Sequence, residues 1–227
     1  MKKIIIAALA IGLVGSAAQA QSNQVLSRNA VGYVKVTAGS NTLTLVRNDF
    51  ESINGGSIAV SNLIGTQVPV NSTVMLWNRG VQQYRSGGLT RSGWGTFGSN
   101  LVRRGDGFFL RIPSGTGISN YTVYLMGEVP DETTAPTSLT ENVTALGMYG
   151  YPYPVNTYWT NTPLAKGAAV NDSLMLWSTT NQSYYSFGKT RSGWGAATNV
   201  ILAPGQGFWF RSSITQQWSE VKPYTWP

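Results

Sequence analysis

The hexapeptide Thr-Arg-Ser-Gly-Trp-Gly fills Thr90–Gly95 and returns unchanged at Thr190–Gly195, one hundred residues later. The flanking sequences repeat in the same register. The matching positions are Met75–Trp77 with Met175–Trp177, Gln82 with Gln182, Tyr84 with Tyr184, and Gly105, Gly107, Phe108 and Arg111 with Gly205, Gly207, Phe208 and Arg211. A repeat of this length, with no insertion around it, predicts a duplicated structural unit.

Short apolar runs separated by Gly, Asn and Ser turns surround both copies of the hexapeptide, and such runs predict β-strands. The predicted strands are residues 30–36, 42–46, 73–77, 81–85, 108–112 and 121–126, then 143–148, 173–177, 183–187, 207–211 and 216–221. Residues 57–64 fit either a strand or one short helical turn. We therefore predict an all-β fold of two homologous tandem β-sandwich-like units, offset by about 100 residues.

The start of the chain has the pattern of a secretory signal. Lys2 and Lys3 precede the apolar run Ile4–Gly15, and Ala18-Gln19-Ala20 is a typical cleavage site. We expect residues 1–20 to be removed, and no later segment reaches the roughly twenty apolar residues of a transmembrane helix. The expected location is extracellular or at the cell surface, with the periplasm as the alternative.

The remaining chain divides at Pro130–Pro136, which contains two prolines and adjacent acids but no large apolar residue. This composition is typical of a linker. The predicted boundaries are 21–129 for the first unit, 130–136 for the linker and 137–227 for the second unit.

Two residue types are missing from the 227 residues, histidine and cysteine. Without them the chain has no Ser-His-Asp or Cys-His triad, no imidazole or thiolate metal ligand and no disulfide. Losing the signal would lower the formal charge from +7 to +5, because Lys2 and Lys3 leave and no acid does. The basic residues are scattered, which disfavours nucleic acid as a partner and leaves acidic glycans possible.

The nine carboxylates are the remaining candidates for catalysis, and none has an acidic counterpart one hundred residues away. Asp49 and Glu51 flank Phe50 and would share one face of a strand, but a retaining glycosidase needs carboxyl groups from separate elements about 5 Å apart. We expect no enzyme, no metal site and no cofactor.

Aromatic and arginine side chains of the repeats are the hypothetical ligand-binding residues. They are Arg91, Trp94 and Tyr84 in the first unit and Arg191, Trp194 and Tyr184 in the second. Trp and Tyr faces could stack on sugar rings while Arg binds hydroxyls or carboxylates. Alternatively, the same residues pin the loops: a buried indole would indicate this structural role, and an exposed one a binding role.

Several of these motifs resemble a family of secreted β-repeat proteins found in bacteria of the planctomycete, verrucomicrobia and kiritimatiella group. The shared motifs are G-Y-V-x-V at Gly32–Val36, G-E-V at Gly127–Val129 and P-G-Q-G-F at Pro204–Phe208. The first unit departs from the pattern, with Arg104 where the second unit has Pro204. The resemblance implies export and a duplicated β fold, and it implies no catalytic or ligand-binding residue.

Together these features predict an exported, non-enzymatic structural or adhesive protein of the cell surface or matrix. Partners would be further copies of the chain or other surface proteins, since low charge and free β-edges favour strand pairing. The alternative is a lectin-like carbohydrate-binding module.

Overall fold

The computed structural model describes residues 30–53, 55–130, 134–137 and 146–225, and within them the chain is mostly β-strand. The strands of the first half are β1 (Val31–Gly39), β2 (Leu43–Arg47), β3 (Ile58–Ala59), β4 (Thr73–Asn78), β5 (Gln83–Gly88), β6 (Leu101–Val102), β7 (Gly107–Arg111) and β8 (Asn120–Glu128). Those of the second half are β9 (Thr134–Thr137), β10 (Leu146–Gly150), β11 (Thr157–Tyr158), β12 (Ser173–Ser178), β13 (Ser183–Gly188), β14 (Ile201–Leu202), β15 (Gly207–Arg211) and β16 (Trp218–Val221). The all-β prediction is confirmed.

The helical segments are short. They are α1 (Val60–Leu63), α2 (Pro163–Gly167) and 3-10 helices at Gly95–Ser99, Trp159–Asn161 and Gly195–Asn199. Residues 57–64 contain both predicted alternatives, since β3 is followed directly by α1. No helix among the described residues has the length and hydrophobicity needed to cross a membrane. The predicted signal, residues 1–20, and residues 21–29 lie outside the described residues.

Each half contributes one four-stranded antiparallel sheet, and the strand order is the same in both. The orders are β2-β7-β4-β5 and β10-β15-β12-β13. The predicted hairpins are confirmed, with Trp77 opposite Tyr84 and Trp177 opposite Tyr184. The remaining strands form two-stranded sheets, β1 with β8, β3 with β6, β11 with β14 and β9 with β16.

The two large sheets pack face to face, so the sandwich forms between the halves. Its buried centre contains Leu45 and Phe109 from the first half and Met148 and Trp209 from the second. The opposite face of each sheet covers that half's own core, which includes Phe108 in the first half. Each half supplies one layer of this sandwich, because a sheet that is apolar on both faces must be covered on both.

Backbone hydrogen bonds join the halves at the two G-x-G turns. Arg47 N donates to Gly205 O at 3.0 Å, and Gly150 N donates to Gly105 O at 2.8 Å. Gly105 and Gly205 have φ values of 79° and 76°, which glycine adopts without a steric penalty. A Cβ on Gly107 would lie 2.8 Å from a backbone oxygen of the other half. The glycines of this motif therefore serve the contact between halves.

A second contact, which we call the clasp, holds the first sheet strand of each half against the hairpin turn of the other. Trp77 Nε1 donates to Leu146 O at 2.7 Å. The amide of Gln82 brackets the same residue, accepting from Leu146 N at 3.0 Å and donating to Leu146 O at 3.1 Å. The edge of β10 is thereby covered by the first half.

The clasp is reciprocal. Trp177 Nε1 donates to Leu43 O at 2.8 Å, while Gln182 accepts from Leu43 N at 2.8 Å and donates to Leu43 O at 3.1 Å. Gln82 and Gln182 both adopt positive φ, 52° and 49°, which is rare for a residue with a side chain. Equivalent backbone conformations thus aim both amides at the opposite half.

Part of the predicted linker is a strand. β9 pairs antiparallel with β16, and Pro136 lies opposite Ser219 in a two-stranded sheet, where proline is tolerated at an edge. Residues 131–133 lie outside the described residues. Residues 134–136 therefore belong structurally to the second half, although their proline-rich composition is typical of a linker.

Candidate functional site

The two Thr-Arg-Ser-Gly-Trp-Gly loops have the same geometry. In the first, Thr90 N donates to Gly93 O at 2.9 Å and Gly93 N donates to Thr90 O at 3.1 Å, and the second copy repeats both bonds. The Thr90 hydroxyl donates to Gly93 O at 2.7 Å. Gly93 has a φ of 102°, a value that favours glycine. The hexapeptide is a tight turn closed by its own threonine.

Both tryptophans that follow these turns are buried. Trp94 and Trp194 are each 6% exposed. Trp94 Nε1 donates to Gly65 O at 2.8 Å, just after α1, and Trp194 Nε1 donates to Ala165 O at 2.9 Å, within α2. Neither indole is available to stack on a ligand. Each instead anchors a helical turn over the sheet of its own half, so the structural interpretation of these two residues holds.

The other predicted ligand residues do not converge with the tryptophans. Arg91 and Arg191 are exposed on the turns. Tyr84 and Tyr184 are 43% and 45% exposed and lie on the hairpin strands instead. The six residues therefore form no single binding platform.

The two tyrosines meet at one margin of the sandwich. The Tyr84 ring lies 4.9 Å from Trp77 and 6.1 Å from Trp209, and the Tyr184 ring lies 4.7 Å from Trp177, all edge-on. Burial raises the pKa of both hydroxyls. The neighbouring Tyr184 raises the pKa of Tyr84 further, whereas the hydrogen bond with Tyr84 lowers the pKa of Tyr184 and so offsets part of its rise. The paired tyrosines, on the hairpin strands β5 and β13, therefore pack against the tryptophans at one margin of the layer between the sheets.

The outer edge of β5 carries unpaired backbone groups. Leu89 N donates to Ser72 O at 2.8 Å, and these residues continue the β4–β5 register. Hydrogen-bonded pairs alternate along an antiparallel ladder. The backbone N–H and C=O groups of Tyr84, Ser86 and Gly88 therefore point away from β4. In the described part of the chain, no hydrogen bond reaches them.

β13 presents the same edge in the second half. Lys189 N donates to Asp172 O at 2.8 Å, which sets the alternation along the β12–β13 ladder. The backbone groups of Tyr184, Ser186 and Gly188 point outward, and among the described residues they too have no hydrogen-bond partner.

The carboxylates considered as catalysts are engaged in other contacts. Asp49 is fully buried, with Oδ1 2.6 Å from Arg47 Nε and Oδ2 accepting from Gly205 N at 2.7 Å. Burial raises the pKa of Asp49 to about 6. Glu51 pairs with Arg104 at 3.2 Å. Asp49 and Glu51 therefore bind separate arginines.

One further buried acid was not singled out from the sequence. Glu220 on β16 accepts a 2.5 Å hydrogen bond from Trp218 Nε1 and is 4% exposed. Burial raises the pKa of Glu220 to about 7. Across the residues that the structure describes, no group of three or more His, Cys, Asp or Glu side chains is placed to hold a metal ion.

The sequence did not predict a cleft of about 320 Å³ beside the β4–β5 hairpin, which is lined by the first half apart from Met148 of the second. Its lining includes Arg79, Arg85, Arg103 and Asp106. The signal that could have revealed it is the difference between the repeats, because the matching positions in the second half carry no charge.

No known family model, curated protein sequence or solved structure matches this chain. The resemblance to the secreted β-repeat proteins therefore stays a prediction.

Proposed function

We propose that this chain is an exported, non-enzymatic structural protein that assembles with copies of itself by pairing the free edges of β5 and β13. The observation that carries the proposal is the set of outward-facing backbone groups on these two strands. An open strand edge is a template for another strand, because every unpaired N–H and C=O can complete a hydrogen bond there.

The two edge strands of each large sheet differ in whether another part of the chain covers them. The opposite edges, β2 and β10, are covered by the clasp, in which the glutamine and tryptophan of one half bind Leu43 or Leu146 of the other. β5 and β13 receive no such cover from the described residues. The same chain therefore protects one edge of each sheet and leaves the other available.

The side chains of the free edges also favour pairing. Soluble proteins commonly block an open strand edge with lysine or another charged residue, or with proline. β13 contains no charged residue and no proline, and β5 contains Arg85 as its single charge. Each edge is six residues long, long enough for a short intermolecular ladder.

The number of edges favours growth of an extended assembly. Each copy offers two edges, one on each sheet, and the two differ in sequence. Pairing β5 of one copy with β13 of the next would be a heterologous contact, and such contacts continue into filaments or layers unless they close into a ring.

The proposed absence of catalysis is supported by chemistry in the chain itself. The sequence has no histidine. Asp49, Glu51 and Asp106 each lie against an arginine. Export is supported by the pattern of Lys2, Lys3 and the apolar run after them.

Proline substitutions at the outward positions test the proposal. In Ser86→Pro/Ser186→Pro the lost N–H groups are those facing away from the sheets, so the internal ladders stay intact while strand addition is blocked. The matched control is Ser86→Thr/Ser186→Thr, which keeps both N–H groups. We expect the mature wild type and the threonine control to form concentration-dependent assemblies by size exclusion and negative-stain imaging, and the proline variant to remain monomeric. Wild type that stays monomeric over a wide concentration range would contradict the proposal.

A further inference from the structure

The cleft on the first half is built around three guanidinium groups, those of Arg79, Arg85 and Arg103. Among the described residues that line it, the single acid is Asp106. The lining therefore carries a formal excess of two positive charges. An excess of this kind, confined to one concave site, favours an anionic ligand.

Two of the arginines are held in place by that acid. Arg79 Nη2 lies 2.6 Å from Asp106 Oδ1, and its guanidinium carbon sits 4.2 Å from the centre of the Tyr149 ring. Arg103 Nε lies 3.2 Å from Asp106 Oδ2. The Arg79 side chain is only 11% exposed, whereas that of Arg103 is 65% exposed. A fixed guanidinium fork such as that of Arg79 loses less entropy when it binds an oxyanion.

The third arginine is paired with a neutral group. Arg85 Nη2 donates to Asn100 Oδ1, and Arg85 extends from the exposed strand β5. This contact orients the guanidinium without neutralising its charge, so its donors can also serve an anion in the cleft.

The second half shows that these charges are not needed to build the fold. The residues at the equivalent positions are Thr179, Tyr185, Ala203 and Gln206. There the Gln206 side chain accepts from Ala203 N at 3.3 Å. In the first half, Asp106 closes the same turn by accepting a hydrogen bond from Arg103 N at 3.0 Å. Turn formation needs only an acceptor, and the charges of the first half have no structural counterpart.

We propose that this cleft binds the carboxylate or sulfate groups of an acidic polysaccharide. Guanidinium forks match planar carboxylates and sulfate oxygens through paired, charge-assisted hydrogen bonds. The volume of about 320 Å³ lies in the range of small-ligand sites. The exposed Leu101 and the partly buried Leu76 in the lining give the walls an apolar surface suited to a sugar ring.

A nucleic acid is the less favoured polyanion. Proteins that bind its backbone spread their basic residues along a stripe, whereas these arginines are confined to one cleft and the chain has no basic run. The choice of a polysaccharide also rests on the proposed export. Arg85 lies on β5, but it enters the cleft through its side chain, whereas the proposed assembly uses the outward backbone groups of Tyr84, Ser86 and Gly88.

The test uses the mature full-length chain with polygalacturonate as the carboxylated probe, heparin as the sulfated probe, and neutral dextran and double-stranded DNA for comparison. The site variant Arg79→Thr/Arg85→Tyr/Arg103→Ala installs the residues of the second half, which fold there. The control Lys35→Gln/Arg111→Gln/Arg211→Gln removes the same number of charges from exposed positions outside the cleft. Arg85→Gln alone is a second site variant at an exposed position, for use if the triple variant misfolds.

We expect calorimetric binding of at least one acidic polysaccharide and none of dextran. The site variant should weaken binding by about tenfold or more, since it removes charge-assisted hydrogen bonds to the oxyanion. Arg85→Gln should weaken it in the same direction, and the control should change it little. An equal loss in the control, no binding by wild type, or DNA binding that depends on the same three arginines would each overturn the proposal. Because assembly is measured separately, failure of either proposal leaves the other open to its own test.

Discussion

Replacing Gln182 with alanine is expected to weaken the contact between the two halves by a measurable and limited amount. The substitution removes two hydrogen bonds to Leu43, of 2.8 and 3.1 Å, and a local one of 2.5 Å from Gln182 Nε2 to Thr179 O. Leu43 O keeps its bond from Trp177, and Leu43 N is only partly buried, so water can replace part of what is lost. At about 0.5–1.5 kcal/mol for each bond, the free energy of unfolding should fall by about 1–2 kcal/mol. Alanine rather than glycine is used because glycine would also relieve the positive φ at this position.

The assay is urea unfolding of the mature chain, followed by tryptophan fluorescence and far-UV circular dichroism. Gln82→Ala should give a loss similar to that of Gln182→Ala, and the double variant should lose about the sum, because the clasps are separate contacts. Gln83→Ala is the matched control: it is exposed and should change stability by less than about 0.5 kcal/mol. Both probes should report a single transition. Two resolved transitions in wild type, or clasp variants indistinguishable from the control, would refute the interlocked arrangement of the halves.

Three further predictions concern the buried groups. Burial raises the pKa of Glu220 from its usual 4.5 to about 7, so the folded state holds a proton that the unfolded chain releases, and stability should decline as pH rises through that window. Glu220→Gln should remove the decline and be more stable than wild type above it, on the order of 2 kcal/mol, in urea titrations at several pH values. Trp94→Ala should cost about 3–5 kcal/mol and Trp94→Phe clearly less, with equal losses arguing against burial of the ring as the cause. Gly207→Ala would place a Cβ 2.8 Å from Val46 O and should cost about 1–3 kcal/mol, whereas Gly188→Ala, with open space around it, should cost under about 1 kcal/mol; the difference in thermal midpoint checks this.

Local patterns predicted the strands well. Alternating apolar residues and the turn signal at Asn78–Gly80 predicted the β4–β5 hairpin, although the return strand begins at Gln83 and not at Val81, and the repeat predicted its counterpart in the second half. These features depend on neighbours in sequence, which a single chain displays directly.

The relation between the halves could not be predicted in the same way. The sandwich depends on which face of each sheet meets the other half. The neighbouring residues Phe108 and Phe109 point to opposite faces of their sheet and both are apolar, so the sequence does not distinguish the faces. The clasp depends on the rare positive φ at Gln82 and Gln182, which no periodicity indicates.

The candidate sites also divide into one that the repeats indicate directly and one that they do not. Conserved identity between the repeats pointed to Trp94 and Trp194, which are buried supports of the fold. The charged cleft instead lies where the repeats differ, as at Arg79 against Thr179. Between two halves with repeated motifs, identity indicates what both halves need to fold, and a difference indicates where one half can serve another purpose.

The most direct test of the proposed assembly is amide hydrogen exchange at Ser86 and Ser186, measured in dilute and in concentrated mature protein. Their N–H groups face away from β4 and β12, so they should exchange rapidly in the monomer. On assembly they should become protected together with the other outward-facing amides of β5 and β13, while the outer face of the β1–β8 ribbon changes little. Assemblies in which these amides continue to exchange at the monomer rate would contradict pairing of the free edges.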